Sequence, residues 1–156
     1  MPNWLIPFDQ AFPEQAPKET RSLTLRHHRE LPDDDYGLLE AYCPDLGCHC
    51  RRAMLNIVSR RLRTTLASIS YGFDSTDPLG GAILDPFNPQ STYAPVLLGL
   101  VKDVLADPAY AARLEAHYYQ LRGAVSDPAH PIHQFLMDNE FVHPPPKLNR
   151  QQRRRK

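Results

Sequence analysis

The sequence contains no run of about 18 apolar residues, so no membrane-spanning helix is expected. Its first residues, Met1-Pro2-Asn3-Trp4-Leu5-Ile6-Pro7, lack a basic segment followed by an apolar one, and a secretory signal is not expected. The well-known catalytic signatures are missing: there is no His-Glu-x-x-His, no His-x-Glu with Pro-Cys-x-x-Cys, no Walker loop and no Gly-x-Ser-x-Gly. No internal repeat is visible. Cysteine is scarce, and an odd count of three does not make a disulfide framework. A reducing cytoplasm with free or metal-bound thiols is the expectation that follows.

What is abundant is proline, 16 residues in 156, about twice the usual share of roughly 5%. The prolines crowd both ends and a middle loop, so the packed core is expected to be smaller than the chain. The length fits one domain with tails. Formal charge is zero but unevenly spread. Six of the 18 basic residues (Lys147, Arg150, Arg153, Arg154, Arg155 and Lys156) lie in the last ten positions, which hold no acid. Residues 1–146 therefore carry a net charge of −6, an acidic body with a basic tail. Only that tail, with Arg153, Arg154 and Arg155, invites a nucleic-acid or acidic-protein partner.

Hydrophobic periodicity divides the chain in three. Residues 1–20, with Pro2, Pro7, Pro13 and Pro17, show neither helical nor strand period and read as an extended arm. Trp4, Leu5, Ile6, Phe8 and Phe12 are the residues able to pin it to the body. Residues 21–142 read as an α+β domain. Strands are expected at 21–26, near 36–42, at 53–58 and at 66–73, where Ala67, Ile69, Tyr71 and Phe73 alternate with polar residues. Arg60 to Arg63 is the turn of a hairpin, and 74–90 is a loop rich in Asx-Pro pairs. Helical spacing begins near Thr92. A second helix starts at Asp107-Pro108 with Tyr110, Leu114, His117, Tyr118, Leu121 and Val125 inward, and a third is expected from Asp127-Pro128. Residues 143–156 read as a Pro-rich, basic, disordered tail. The fold expected is a small antiparallel sheet carrying a zinc knuckle, packed by two or three C-terminal helices.

The chemistry concentrates in Tyr42-Cys43-Pro44-Asp45-Leu46-Gly47-Cys48-His49-Cys50-Arg51-Arg52, which holds every cysteine of the chain. Structural zinc takes four tetrahedral ligands, usually thiolates with or without histidine. Pro44 and Gly47 let the chain fold back between the first two thiols. Extended backbone would put Cys48 and Cys50 on one side and turn His49 away. A disulfide between Cys43 and Cys48 is the competing reading. For the fourth ligand His117 is the first choice, because it lies on the apolar stripe of the second helix; an inward histidine can equally be a satisfied core residue. His27, His28, His130, His133, Asp45 and water are the alternatives. Zn2+ on three thiolates and one neutral imidazole carries −1, which Arg51 and Arg52 would offset. With Arg60, Arg61 and Arg63 they form a basic spot, read as a solvated hairpin end ahead of a phosphate site.

The same knuckle, together with Thr65-Leu66-Ala67-Ser68-Ile69-Ser70-Tyr71-Gly72, Leu84-Asp85-Pro86-Phe87-Asn88-Pro89-Gln90-Ser91 and His117-Tyr118, resembles an uncharacterised bacterial protein family over residues 25–122. Some members of that family carry a C-terminal SEC-C zinc motif. Here Pro146-Lys147-Leu148-Asn149-Arg150 is similar to its lead-in, but no cysteine follows. The resemblance implies a metal at Cys43, Cys48 and Cys50 with His117 as partner, and no established activity.

A zinc-binding domain with a structural metal and an interaction role is therefore the favoured reading. A zinc-dependent, hydrolase-like enzyme with an open fourth position is the alternative, with Asp85, Asn88, Gln90, Tyr118 and Arg122 as polar groups that could converge on it. A thiol-based metal or redox sensor is the third.

Overall fold

The computed structural model describes residues 5–139. The expected basic tail, with Arg153, Arg154 and Arg155, lies outside the described residues. The chain folds as α+β: a six-stranded antiparallel sheet with helices against one face. The expected hairpin is its centre. β3 (Asp34–Tyr42), β4 (Arg52–Ser59) and β5 (Thr64–Gly72) pair in sequence order, and Leu38, Ile57 and Ala67 lie in one cross-strand row. Alternation puts Tyr36, Leu38, Leu55, Ile57, Ala67 and Ile69 on the buried face.

Two segments depart from the sequence expectations. Residues 6–19 are not an extended arm. β1 (Ile6–Pro7) pairs with the last residues of β3, and two single-turn helices follow, α1 (Phe8–Ala11) and α2 (Ala16–Glu19). Proline-rich sequence has no period to read, yet Ile6, Phe8, Ala11 and Ala16 are all buried. β2 (Arg21–Leu25) then occupies the other end of the same β3 edge, so β1 and β2 share it end to end. Among the described residues, only Leu39 and Glu40 of β3 lack a strand partner on that edge, so little of it is open for another chain to extend. Within the 74–90 loop, a short strand β6 (Gly81–Leu84) pairs with the far edge of β5. Its four residues are flanked by turns, which hides it from a periodicity search.

The helices follow their patterns more closely. α3 (Ala94–Leu105) has proline in its first turn, where a missing N–H costs nothing. α4 (Pro108–Ser126) is capped by Asp107, whose Oδ1 accepts from the Ala109 amide. Every residue of the expected stripe on α4 is buried. α5 (Pro131–Asp138) starts later than expected: His130 is its cap, its Nδ1 accepting from the Ile132 amide, while Asp127 closes α4. None of the described helices is long and apolar enough to cross a membrane.

Two apolar clusters result. One lies between the strands and α3 with the first half of α4, through Leu97, Val101, Tyr110 and Leu114. The other joins the N-terminal segment, Tyr42 and Ala53 to the second half of α4 and to α5, through Phe8, Tyr118, Leu121, Ile132 and Leu136. Phe8 is 2% exposed and its ring stacks on His117 at a centroid distance of 4.0 Å. Phe8→Ala should therefore destabilise the chain by about 3–5 kcal/mol, as for other buried aromatics. Urea unfolding measures this, and a loss under about 1 kcal/mol would show that the N-terminal segment is not part of the core.

Candidate metal centre

The β3–β4 connection carries the three cysteines, and its own turn chemistry folds it back. The Asp45 carboxylate accepts from the Gly47 amide, and the Cys48 amide donates to the Asp45 carbonyl. The three Sγ atoms lie within 4.8 Å of one another, and all three residues are half-buried and free of disulfides. His49 is exposed between two half-buried cysteines, as expected, although the backbone there is loop rather than strand. Tetrahedral thiolates about 2.3 Å from zinc are about 3.8 Å apart, so these sulfurs need move little to share one ion. The cluster is compatible with a metal site.

The thiols are not equivalent. Cys50 receives the S–H of Cys43, and burial opposes its ionisation. The S–H of Cys48, the Arg52 amide and the Tyr118 hydroxyl also donate to it, and its pKa is pulled down to about 5. Cys43, as the donor to Cys50 and partly buried, is pushed up.

His117 does not join them. Its Nδ1 lies 2.6 Å from Glu40 Oε1 and its Nε2 lies 2.6 Å from Glu19 Oε2, so both ring nitrogens are occupied by carboxylates. Among the described residues, the group able to hold a metal consists of the three cysteines alone. The expectation of His117 as fourth ligand is corrected accordingly: it is a satisfied core histidine. Of the alternatives, the Nδ1 atoms of His28, His130 and His133 meet backbone groups of their own neighbourhoods. The signal for the true partner was present in the alternation of β3. Tyr36, Leu38, Glu40 and Tyr42 share the buried face, and a carboxylate there requires a donor. Tyr42 and His117 both supply one to Glu40 Oε1.

What ties the knuckle to α4 is arginine. Arg122 donates to the carbonyls of Asp45 at 2.9 Å and Leu46 at 3.0 Å, and its guanidinium lies over the Tyr118 ring. Arg51 and Arg52 diverge. Arg51 leaves the knuckle in the left-handed region at φ 46° and pairs with Glu115 on α4 at 3.1 Å. Arg52 points across the sheet, its Nε donating to Ser70 Oγ and its Nη1 to the Leu79 carbonyl, both at 2.8 Å. Arg60 pairs with Asp35, so no single basic spot forms.

All three thiols line one cavity of about 520 Å³. Its floor is the sheet face turned away from the helices, with Ala41, Met54, Asn56 and Ser70. Leu5 and Pro7 form one wall, and Asp85, Phe87 and Asn88 form another. That last loop is rigidly built. Asn88 donates to the Asp85 carboxylate, and Gln90 Nε2 donates to the carbonyls of Ser68 and Asp85 while its Oε1 accepts from the Ser68 amide. Of the polar residues expected to converge, Asp85 and Asn88 line the cavity, Tyr118 and Arg122 support the knuckle, and Gln90 clamps the loop. Asn56 and Ser70 were missed because they lie on the polar side of the alternation, which reads as solvated surface.

Comparison of the chain with protein-family models, curated proteins and solved structures found no match.

The carboxylate pair around His117 makes a pH prediction. Burial alone would lower its pKa, but the hydrogen bond and charge of Glu40, joined by those of Glu19, raise it above the ordinary 6.5. The protonated imidazole donates to both carboxylates, so its contribution to stability is complete below 6.5 and is lost as pH rises through the raised folded value. Unfolding free energy should fall across that window, and His117→Gln should flatten the slope. An unchanged slope in the variant would assign the pH dependence elsewhere.

Proposed function

We propose that the protein is a zinc-binding domain in which Cys43, Cys48 and Cys50 hold the ion and the fourth ligand comes from the cavity rather than from the fold. The observation that carries this reading is that all three thiols line the cavity while the described residues bring no fourth donor to them. Three thiolates form a soft site, which suits zinc among the common divalent ions. When bound, the ion would supply a Lewis-acidic centre able to hold and polarise a cavity ligand.

The purely structural reading loses its main support. A staple matters most where it joins distant segments, but Cys43 and Cys50 bracket one short connection between strands already paired from Tyr36–Ser59 to Ala41–Met54. Arg122 already links that connection to α4. Zinc is thus expected to order the knuckle without being required for the fold.

Metal analysis of the purified full chain should give one zinc per chain. Cys43→Ser, Cys48→Ser and Cys50→Ser should each lose most of it, whereas His117→Ala should retain it. Chelation should leave the sheet and helix signals of circular dichroism largely intact. Loss of zinc in His117→Ala with retained fold, or global unfolding on chelation, would sink this reading.

A further inference from the structure

Among the described residues three carboxylates are buried, those of Asp34, Glu40 and Asp85, and two of them are answered within the fold. Asp34 accepts from the Ser59 hydroxyl and from the amides of Asp35 and Arg61. Glu40 is answered by Tyr42 and His117. Asp85, 8% exposed, has one side-chain partner, the neutral amide of Asn88 on Oδ2. Among the described residues no cation pairs with it, since the ion pairs of Arg21, Arg26, Arg51, Arg60 and His117 go to other acids. A buried carboxylate with neither a cation nor a full set of donors calls for an explanation. Its free oxygen, Oδ1, is not sealed: among the described residues the side-chain atoms both sealed and unpartnered belong to Arg52 and Tyr110. Strand alternation says which way it faces. Ala82 and Leu84 of β6 pack toward the helix-side cluster, whereas Ile83 is 37% exposed on the other face. The ladder runs one step further, the Asp85 amide donating to the Ser68 carbonyl, so Asp85 falls with Ile83 on the face that floors the cavity.

We propose that the cavity takes a small primary amine, whose ammonium group donates to Asp85 Oδ1 while its apolar body lies against Phe87 and Met54. The volume of about 520 Å³ lies in the range of small-molecule sites, about 300–1,000 Å³. The number of free oxygens decides the class of cation. With Oδ2 taken by Asn88, one oxygen is left, which suits the point charge of an ammonium and not the two-pronged grip of a guanidinium. The acceptor is also held still. Gln90 ties the Asp85 carbonyl to Ser68, so little freedom remains to be lost on binding. Leu5, Pro7 and Met54 supply apolar lining, and Phe87, 80% exposed on the same loop, offers an aromatic ring to hydrocarbon or cation. Arg52 lines the cavity too, but its Nε and Nη1 are engaged by Ser70 and the Leu79 carbonyl and its Nη2 is sealed, so it leaves Asp85 without an ion pair. The proposal stands without the metal, because the acceptor is a carboxylate. Zinc on three thiolates carries −1 and would add to the same attraction.

The test is calorimetric titration of benzylamine into the full chain, with benzyl alcohol as the neutral isostere. Both are run on zinc-loaded protein and on reduced, chelated protein. Saturable binding of the amine is expected in both states, at least about tenfold tighter than the alcohol, the usual scale of a hydrogen bond to a charged group. Asp85→Asn keeps an oxygen for Asn88 and loses the charge. It should weaken the amine at least about tenfold and leave the alcohol unchanged, which shows the cavity intact. The comparison of amine with alcohol on the wild-type chain decides the matter even where the variant does not fold. No saturable binding of benzylamine overturns the proposal, as do equal affinity for the alcohol and undiminished binding by folded Asp85→Asn. Binding that vanishes on chelation yet survives Asp85→Asn also overturns it, assigning the amine to the metal and leaving the zinc reading intact.

Discussion

Burial of one stripe of α4 is the constraint on which the rest of the molecule depends. Tyr110 and Leu114 pack into the cluster under the central strands, while Tyr118, Leu121 and Val125 pack into the cluster that holds the N-terminal segment. His117 lies between them, and a polar ring on a buried stripe must be answered. Glu40 answers from the sheet and Glu19 from the N-terminal segment. One helix thus sets the register of three chain segments. Its next residues, Tyr118 and Arg122, reach the cysteine loop, so packing on α4 helps to position the thiols.

That support matters for the site. A loop that needs zinc to fold places its ligands only when the metal binds, whereas this one is held by an Asx turn, by Arg122 and by the β3–β4 pairing on either side. Beyond the sulfurs, the sheet lines the cavity with Arg52 and Asn56. Both lie on the sheet face that the helices leave uncovered.

The sequence made the β4–β5 hairpin, α3, α4 and the cysteine cluster legible, because each rests on a local pattern: period two, period 3.6, an Asp-Pro cap, or thiols within eight residues. The N-terminal segment was not legible, since its apolar residues have no period and find their places only against β3 and α4. β6 is too short to show alternation. For His117 the burial was readable and the partner was not. Its stripe position demanded a polar contact, and thiols were the conspicuous unsatisfied group, but Glu19 and Glu40 lie 98 and 77 residues away and no local pattern links them.

The central claim is that three thiolates hold the metal and the fourth donor is exchangeable. X-ray absorption at the zinc edge of the full-length protein measures this directly. The account predicts three sulfur neighbours and one light atom, with a fourth sulfur appearing when a small thiol is added. A zinc ion with a histidine in its first shell, or one whose shell does not change with added thiol, would contradict it.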